Sequence, residues 1–184
     1  VAGFLSGVVF SAWKLDRTPR PPLTTPMAQQ ADTSSAEQSG RLTALEKLVA
    51  ENPTNAKAAV QLADAYLDAG QFQKAVTAYQ NALKLDPGNA DACTDMGAAY
   101  RKLGKTEESV AAFKQALAIN PAHALALFNL GLVLRDDAKD YPGALSAWEK
   151  FLEQYGDSPH AVMVKPWVAQ LKQKLSSTTP PKAQ

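Results

Sequence analysis

Few residues in this 184-residue chain are of types that do covalent or metal chemistry. The chain has one cysteine, Cys93, and two histidines, His123 and His160. A single thiol excludes an intramolecular disulfide and a thiolate-cluster zinc site. Cys93 is therefore expected to be a buried small hydrophobe. The histidines fall in different segments and are expected to be structural or exposed. Asp136, Asp137 and Asp140 crowd into DDAKDYPG. That stretch lacks the glycine turn and ordered oxygen spacing of a calcium loop, so a solvated loop is expected. No G-x-x-x-x-G-K-[ST], H-E-x-x-H or G-x-S-x-G occurs. The expectation is no catalytic residue, no metal site, no cofactor and no small-molecule substrate. The chemistry on offer is recognition, and the elements that would position it come next.

Apolar residues make up 46% of the chain and charged ones 20%, which fits a globular core. Aromatics reach only 8%, while alanine, leucine, lysine and glutamine abound, which favours helices over a sandwich or barrel. Nineteen basic against eighteen acidic residues give a net charge of +1, so no basic footprint for nucleic acid exists.

Residues 1–13, VAGFLSGVVFSAW, are uncharged and apolar apart from two serines. As a helix they would span about 20 Å, short of the roughly 30 Å of a bilayer core. Residues 1–16 are read as the C-terminal part of a membrane-anchor helix. Gly3, Gly7 and Ser11 recur at every fourth place, a small-residue face on which another membrane helix can pack. Trp13 and Lys14 suit the interface. A buried core helix or the apolar stretch of a signal peptide are the alternatives, although no small-x-small cleavage site precedes Lys14. Lys14, Arg17 and Arg20 argue for a cytoplasmic domain, and the Thr/Pro/Gln-rich stretch that follows suits a periplasmic one equally. Residues 17–40 hold four prolines and little to bury, and are expected to be a flexible linker. Residues 176–184 are expected to be a disordered tail.

Residues 41–175 carry equal numbers of acids and bases and a strong internal period. Tyr66 recurs as Tyr100, Gly70 as Gly104, Tyr79 as Phe113, Ala82 as Ala116, Leu83 as Leu117 and Pro87 as Pro121, each 34 residues on. A third copy keeps Leu130 and Gly131, then runs one place late from Tyr141 because of an extra residue in Asp136–Asp140. Ala63, Gly97 and Gly131 are small enough for two helices to approach closely there. Gly70 and Gly104 suit the left-handed residue that ends a helix before a tight turn.

This pattern resembles the tetratricopeptide repeat (TPR) family, whose unit is a helix–turn–helix. The resemblance implies an all-α, short TPR solenoid with repeats at 56–89, 90–123 and 124–158. A half repeat precedes them and a capping helix, 159–175, closes them. Val162, Val164, Trp167, Val168 and Leu171 are the cap's expected apolar set, and Pro166 an expected kink or helix start.

By the same resemblance, positions 2, 5, 9 and 12 of each repeat line a concave groove. The candidate partner-binding residues are Lys57, Val60, Asp64 and Leu67, then Thr94 and Arg101, then Leu125, Phe128, Asn129, Leu132 and Arg135. Asp91 and Ala98 complete the second set. The co-chaperone branch of the family grips a peptide carboxylate with lysines, arginines and asparagines. Val60, Asp64 and Asp95 stand at three of those places here, so that clamp is absent. An apolar wall of Leu125, Phe128 and Leu132, rimmed by Arg101 and Arg135, suits an amphipathic helix or an extended segment. Some of these residues would instead touch the cap helix if the cap folds back on them. The layout is similar to bacterial membrane-anchored TPR proteins, which implies an adaptor for a protein or peptide partner, as assembly factor or accessory subunit of a membrane complex. The alternative is a purely structural subunit that packs through its anchor without capturing a peptide.

Overall fold

The computed structural model describes residues 26–178, with side chains from Glu37 to Ser177. Eight helices and no strand occur among the described residues. They are α1 (Pro26–Glu51), α2 (Ala56–Asp68), α3 (Phe72–Leu85), α4 (Ala90–Lys102), α5 (Thr106–Ile119), α6 (Ala124–Asp136), α7 (Tyr141–Tyr155) and α8 (Pro159–Thr178). Each packs on the next in chain order, and the first helices α2, α4 and α6 also touch their counterparts in neighbouring pairs. That is an α-solenoid.

The same devices recur along it. Asn55 and Asn89 accept from the amides of Ala58 and Ala92 at 3.0 and 2.9 Å, and so cap α2 and α4. His123 stands at the same place before α6 and accepts from the Ala126 amide through Nδ1 at 3.3 Å. Gly70 and Gly104 turn the chain between paired helices with φ of +69° and +72°. In the third pair the left-handed residue is Lys139, φ +58°, because the extra residue there displaces the turn.

Within each pair a small residue faces a large one. A Cβ on Gly97 would stand 2.8 Å from the Phe113 ring, and one on Gly131 would collide with Trp148. Tyr79, Phe113 and Trp148 are completely buried. The Ser109 hydroxyl donates to the Gly97 carbonyl at 2.7 Å, so this close approach satisfies its polar groups too. Between pairs, the Tyr66 hydroxyl donates to Glu46 at 2.6 Å and the Gln80 amide to the Tyr100 hydroxyl at 2.9 Å. Cys93 is buried against Ala116 and Ala126, and burial pushes its thiol pKa up.

Three expectations are corrected here. Residues 26–40 belong to α1 rather than to a linker. Pro26 occupies the first helical position, where its missing amide costs nothing, and no proline follows it before Glu51. Val162 is 74% exposed, and Ala161 takes its place in the buried set with Val164, Val168 and Leu171. Pro166 lies inside α8, whose start is Pro159. Residues 1–16 and 179–184, with Gly3, Gly7 and Ser11, lie outside the described residues. Among the described residues no helix is long and apolar enough to cross a membrane.

Candidate functional site

The groove residues sit on α2, α4 and α6, which lie side by side because alanine, glycine and capped turns repeat at one interval. Their environments differ sharply along the array.

The α2–α4 half is acidic. Asp64 accepts from the buried Tyr79 hydroxyl at 2.6 Å. Asp95 lies near it, half-buried, with Asp68 and Asp91 also close enough to act on it. Desolvation first, and then the charges of Asp64 and Asp91, push the Asp95 carboxyl up to about 6. Asp91 bonds His123 Nε2 at 2.8 Å. Since Nδ1 accepts the Ala126 amide, the ring is the Nε2–H tautomer and donates to Asp91. Lys57 is exposed, and Val60 and Leu67 are half-buried beside Asp64.

Thr94 is not a groove contact. It is only 2% exposed, and its hydroxyl donates back to the Ala90 carbonyl at 2.8 Å. The arginines do not form a free rim either. Arg101 pairs with Asp137 at 2.5 Å and Asp136 at 3.4 Å, and Arg135 pairs with Asp136 at 2.5 Å. The acidic turn is the expected solvated loop at 137–140, and Asp136 and Asp137 in addition hold the two arginines; Arg135 holds the Asp136 carboxyl below its usual range. Arg135 also lies over the rings of Trp148 and Trp167, with its guanidinium carbon 4.9 and 4.5 Å from their centroids.

On α6 the apolar wall is divided. Phe128 packs against Phe151, His160 and Trp167, with centroids 6.0, 5.4 and 6.1 Å apart. The cap therefore takes one side of this ring, while Asn129 and Leu132 are half-buried. Leu125 remains 51% exposed. It opens onto a slot of about 110 Å³ whose walls include Phe128, Phe151, Tyr155 and His160. A wider hollow of about 520 Å³ adjoins it through Leu125 and Tyr155, and Asp91, Ile119 and His123 line its far side. The Tyr155 hydroxyl donates to the Ala122 carbonyl and fixes the wall between them.

The sequence reading did not include Tyr155, Phe151 or His160 in the site. The one-residue displacement after Asp136 hides their repeat positions, although the aromatic density of 148–155 was a signal. Among the described residues no group of three or more potential metal ligands exists. The surface is an apolar slot adjoining a hollow that Asp91 lines, with Asp64 and Asp95 further along α2 and α4.

Family models give the same picture. TPR repeat models match residues 63–104 and 97–136, and tetratricopeptide repeat models match 28–78 and 125–158. The chain belongs to the tetratricopeptide repeat family, whose solenoids are protein-interaction scaffolds. Solved structures share the fold. The crystal structure of MamA aligns with a TM-score of 0.70 at 22% identity, over 79% of this chain and 83% of that one. The first TPR of Spaghetti (RPAP3), bound to the HSP90 peptide SRMEEVD, gives 0.59 at 20% identity, over 66% and 93%. The Sgt2 TPR domain from Aspergillus fumigatus gives 0.58 at 26% identity, over 70% and 87%. No curated protein matches the chain by sequence.

Proposed function

We propose that this protein is a non-enzymatic, membrane-tethered TPR adaptor, which takes a protein segment on its concave face as assembly factor or accessory subunit of a membrane complex. The observation that carries the reading is the open slot at Leu125 beside the acidic row. Leu125 is a large apolar side chain left exposed at the start of α6, between the apolar slot and the hollow that Asp91 lines, and such a residue contributes most when a partner desolvates it. The tether rests on VAGFLSGVVFSAW followed by Lys14. Anchoring confines the array near the membrane and raises the effective concentration of a partner there.

The charge of the face selects the partner. The peptide held by the Spaghetti domain, SRMEEVD, carries three acids. Here Asp64, Asp91 and Asp95 would repel such a ligand, and both groove arginines are already paired. An apolar anchor flanked by lysine or arginine is the complementary segment.

The test places a photo-crosslinking residue at position 125 of the full chain, with position 115 on α5 as the control. An adduct with a second protein from 125 alone supports the adaptor. Equal adducts from both positions, or none, contradict it. The purely structural subunit draws support from the contacts that Phe128 and Arg135 make with α8, and it predicts partner contacts that vanish when residues 1–16 are removed.

A further inference from the structure

On the side of α6 opposite Leu125, the third repeat departs from the first two in a way that opens a cleft. The eleventh position of a repeat is Tyr66 in the first and Tyr100 in the second. Each ring reaches the preceding second helix, where its partner also recurs after 34 residues. The Tyr66 hydroxyl donates to Glu46 on α1 at 2.6 Å, and the Gln80 amide on α3 donates to the Tyr100 hydroxyl at 2.9 Å. In the third repeat the same two places hold Leu134 and Lys114. Leucine is shorter than tyrosine and carries no oxygen, so neither the tip of the ring nor its hydrogen bond is replaced.

What is left is a cleft of about 290 Å³ between α5 and α7, with Leu117, Leu127, Leu130 and Leu134 in its lining. Lys114 lines it from α5 and Lys150 from α7. Both lysines are exposed, and neither has an ionic or hydrogen-bonding partner among the described residues. Asp140, the carboxylate in the lining, is already engaged, since it accepts from the Gly143 amide at 2.9 Å and caps α7. The first repeat has a hollow of about 310 Å³ at the corresponding residues Leu62, Ala78 and Asn81. There Tyr66 stands in the wall, and the whole lining comes from α2 and α3. The ring held to Glu46 takes the space that the third repeat leaves open towards α5. We infer that the cleft between α5 and α7 binds a partner segment that inserts a tyrosine or phenylalanine ring beside an acidic residue.

The fold itself supplies the ring in two repeats, and the third keeps the leucine walls without it. An aromatic side chain from outside desolvates those walls, and a phenol needs a polar partner when it is buried. Lys114 meets that need. An ammonium group only donates, so it accepts no proton from a tyrosine as Glu46 does, but it bonds a phenol oxygen as the Gln80 amide does. Two ammonium groups on facing walls, with the nearby Asp140 spent on its cap, favour a carboxylate next to the ring. The chemistry is the reverse of that at Leu125, where Asp91 and Asp95 favour a basic segment. The two sides of α6 therefore select different segments, and this inference does not rest on the Leu125 reading.

The test titrates the full-length protein with three acetylated, amidated tripeptides, Glu-Tyr-Glu, Glu-Ala-Glu and Lys-Tyr-Lys, and follows leucine methyl shifts by NMR. The expected result is that Glu-Tyr-Glu moves Leu117, Leu130 and Leu134 but not Leu125, and binds about tenfold more tightly than either other peptide. Leu134→Tyr combined with Lys114→Gln rebuilds the pair of the second repeat and fills the cleft. That double variant should lose Glu-Tyr-Glu binding about tenfold or more while keeping a folded spectrum. Lys150→Ala changes an exposed residue, so it keeps the native melting temperature and weakens Glu-Tyr-Glu by about threefold. Equal affinity for the three peptides, full affinity in both variants, or shifts confined to Leu125 overturn the proposal. Leu134 shifts that change on dilution of the protein alone mean that a second copy fills the cleft, and overturn it as well.

Discussion

At the scale of single residues, Gly97 within α4 and Gly104 in the turn after it separate packing from backbone conformation. Gly97→Leu must push against the buried Phe113 ring and should cost about 1–3 kcal/mol or more. Nothing lies near a Cβ at Gly104, so Gly104→Ala should cost about 1–2 kcal/mol from its positive φ alone. Urea unfolding of both variants checks these values, and an unchanged Gly97→Leu midpoint would mean that the helix pairing is misassigned. Asp95 gives a pH signature. Its folded-state pKa lies near 6, above the ordinary carboxyl value of 3.8. The resulting stability is present below about pH 4 and is lost as pH rises through about 6. Asp95→Asn should flatten that fall and gain about 1–2 kcal/mol at pH 7, discounted for the solvent that reaches the carboxylate. Unfolding free energies at pH 4, 6 and 7 measure it, and an unchanged slope would show that the acids do not interact.

At the scale of the elements, the cap is held by its buried stripe of Ala161, Val164, Val168 and Leu171 together with aromatic and cationic contacts from Trp167 and His160. Phe128→Ala should cost about 2–3 kcal/mol, below the roughly 3–5 kcal/mol of a fully buried ring, and should loosen α8 before the rest of the array. Hydrogen exchange resolved by segment reads this directly, and uniform loss along the chain would contradict it. The helix pairs were legible because Tyr79, Phe113 and the paired glycines repeat at a constant interval, and their sizes are dictated by the neighbour they meet. The start of α1 was not legible, since proline-rich composition masked a proline in the one helical position that tolerates it. Thr94 was misplaced for another reason. A family position fixes a direction on the helix, but the depth of a side chain depends on which helices crowd it. The pairing of Arg101 and Arg135 required the third turn's geometry, which the extra residue there had displaced.

At the scale of the whole molecule, the array is neutral overall but divided. Asp64, Asp91 and Asp95 stand on α2 and α4, an apolar slot lies between α6 and the cap, and Arg101 and Arg135 are already paired. In the proposed reading that division makes the concave face selective, with Leu125, 51% exposed, as its apolar anchor. The most direct measurement takes the partner captured at position 125 and compares Leu125→Ala with the native chain in both binding and unfolding. The account predicts roughly tenfold weaker binding, with stability within about 0.5 kcal/mol of the native chain, because an exposed side chain contributes to the complex and little to the fold. Unchanged affinity for that partner, or a loss of binding no larger than the loss of stability explains, would contradict it.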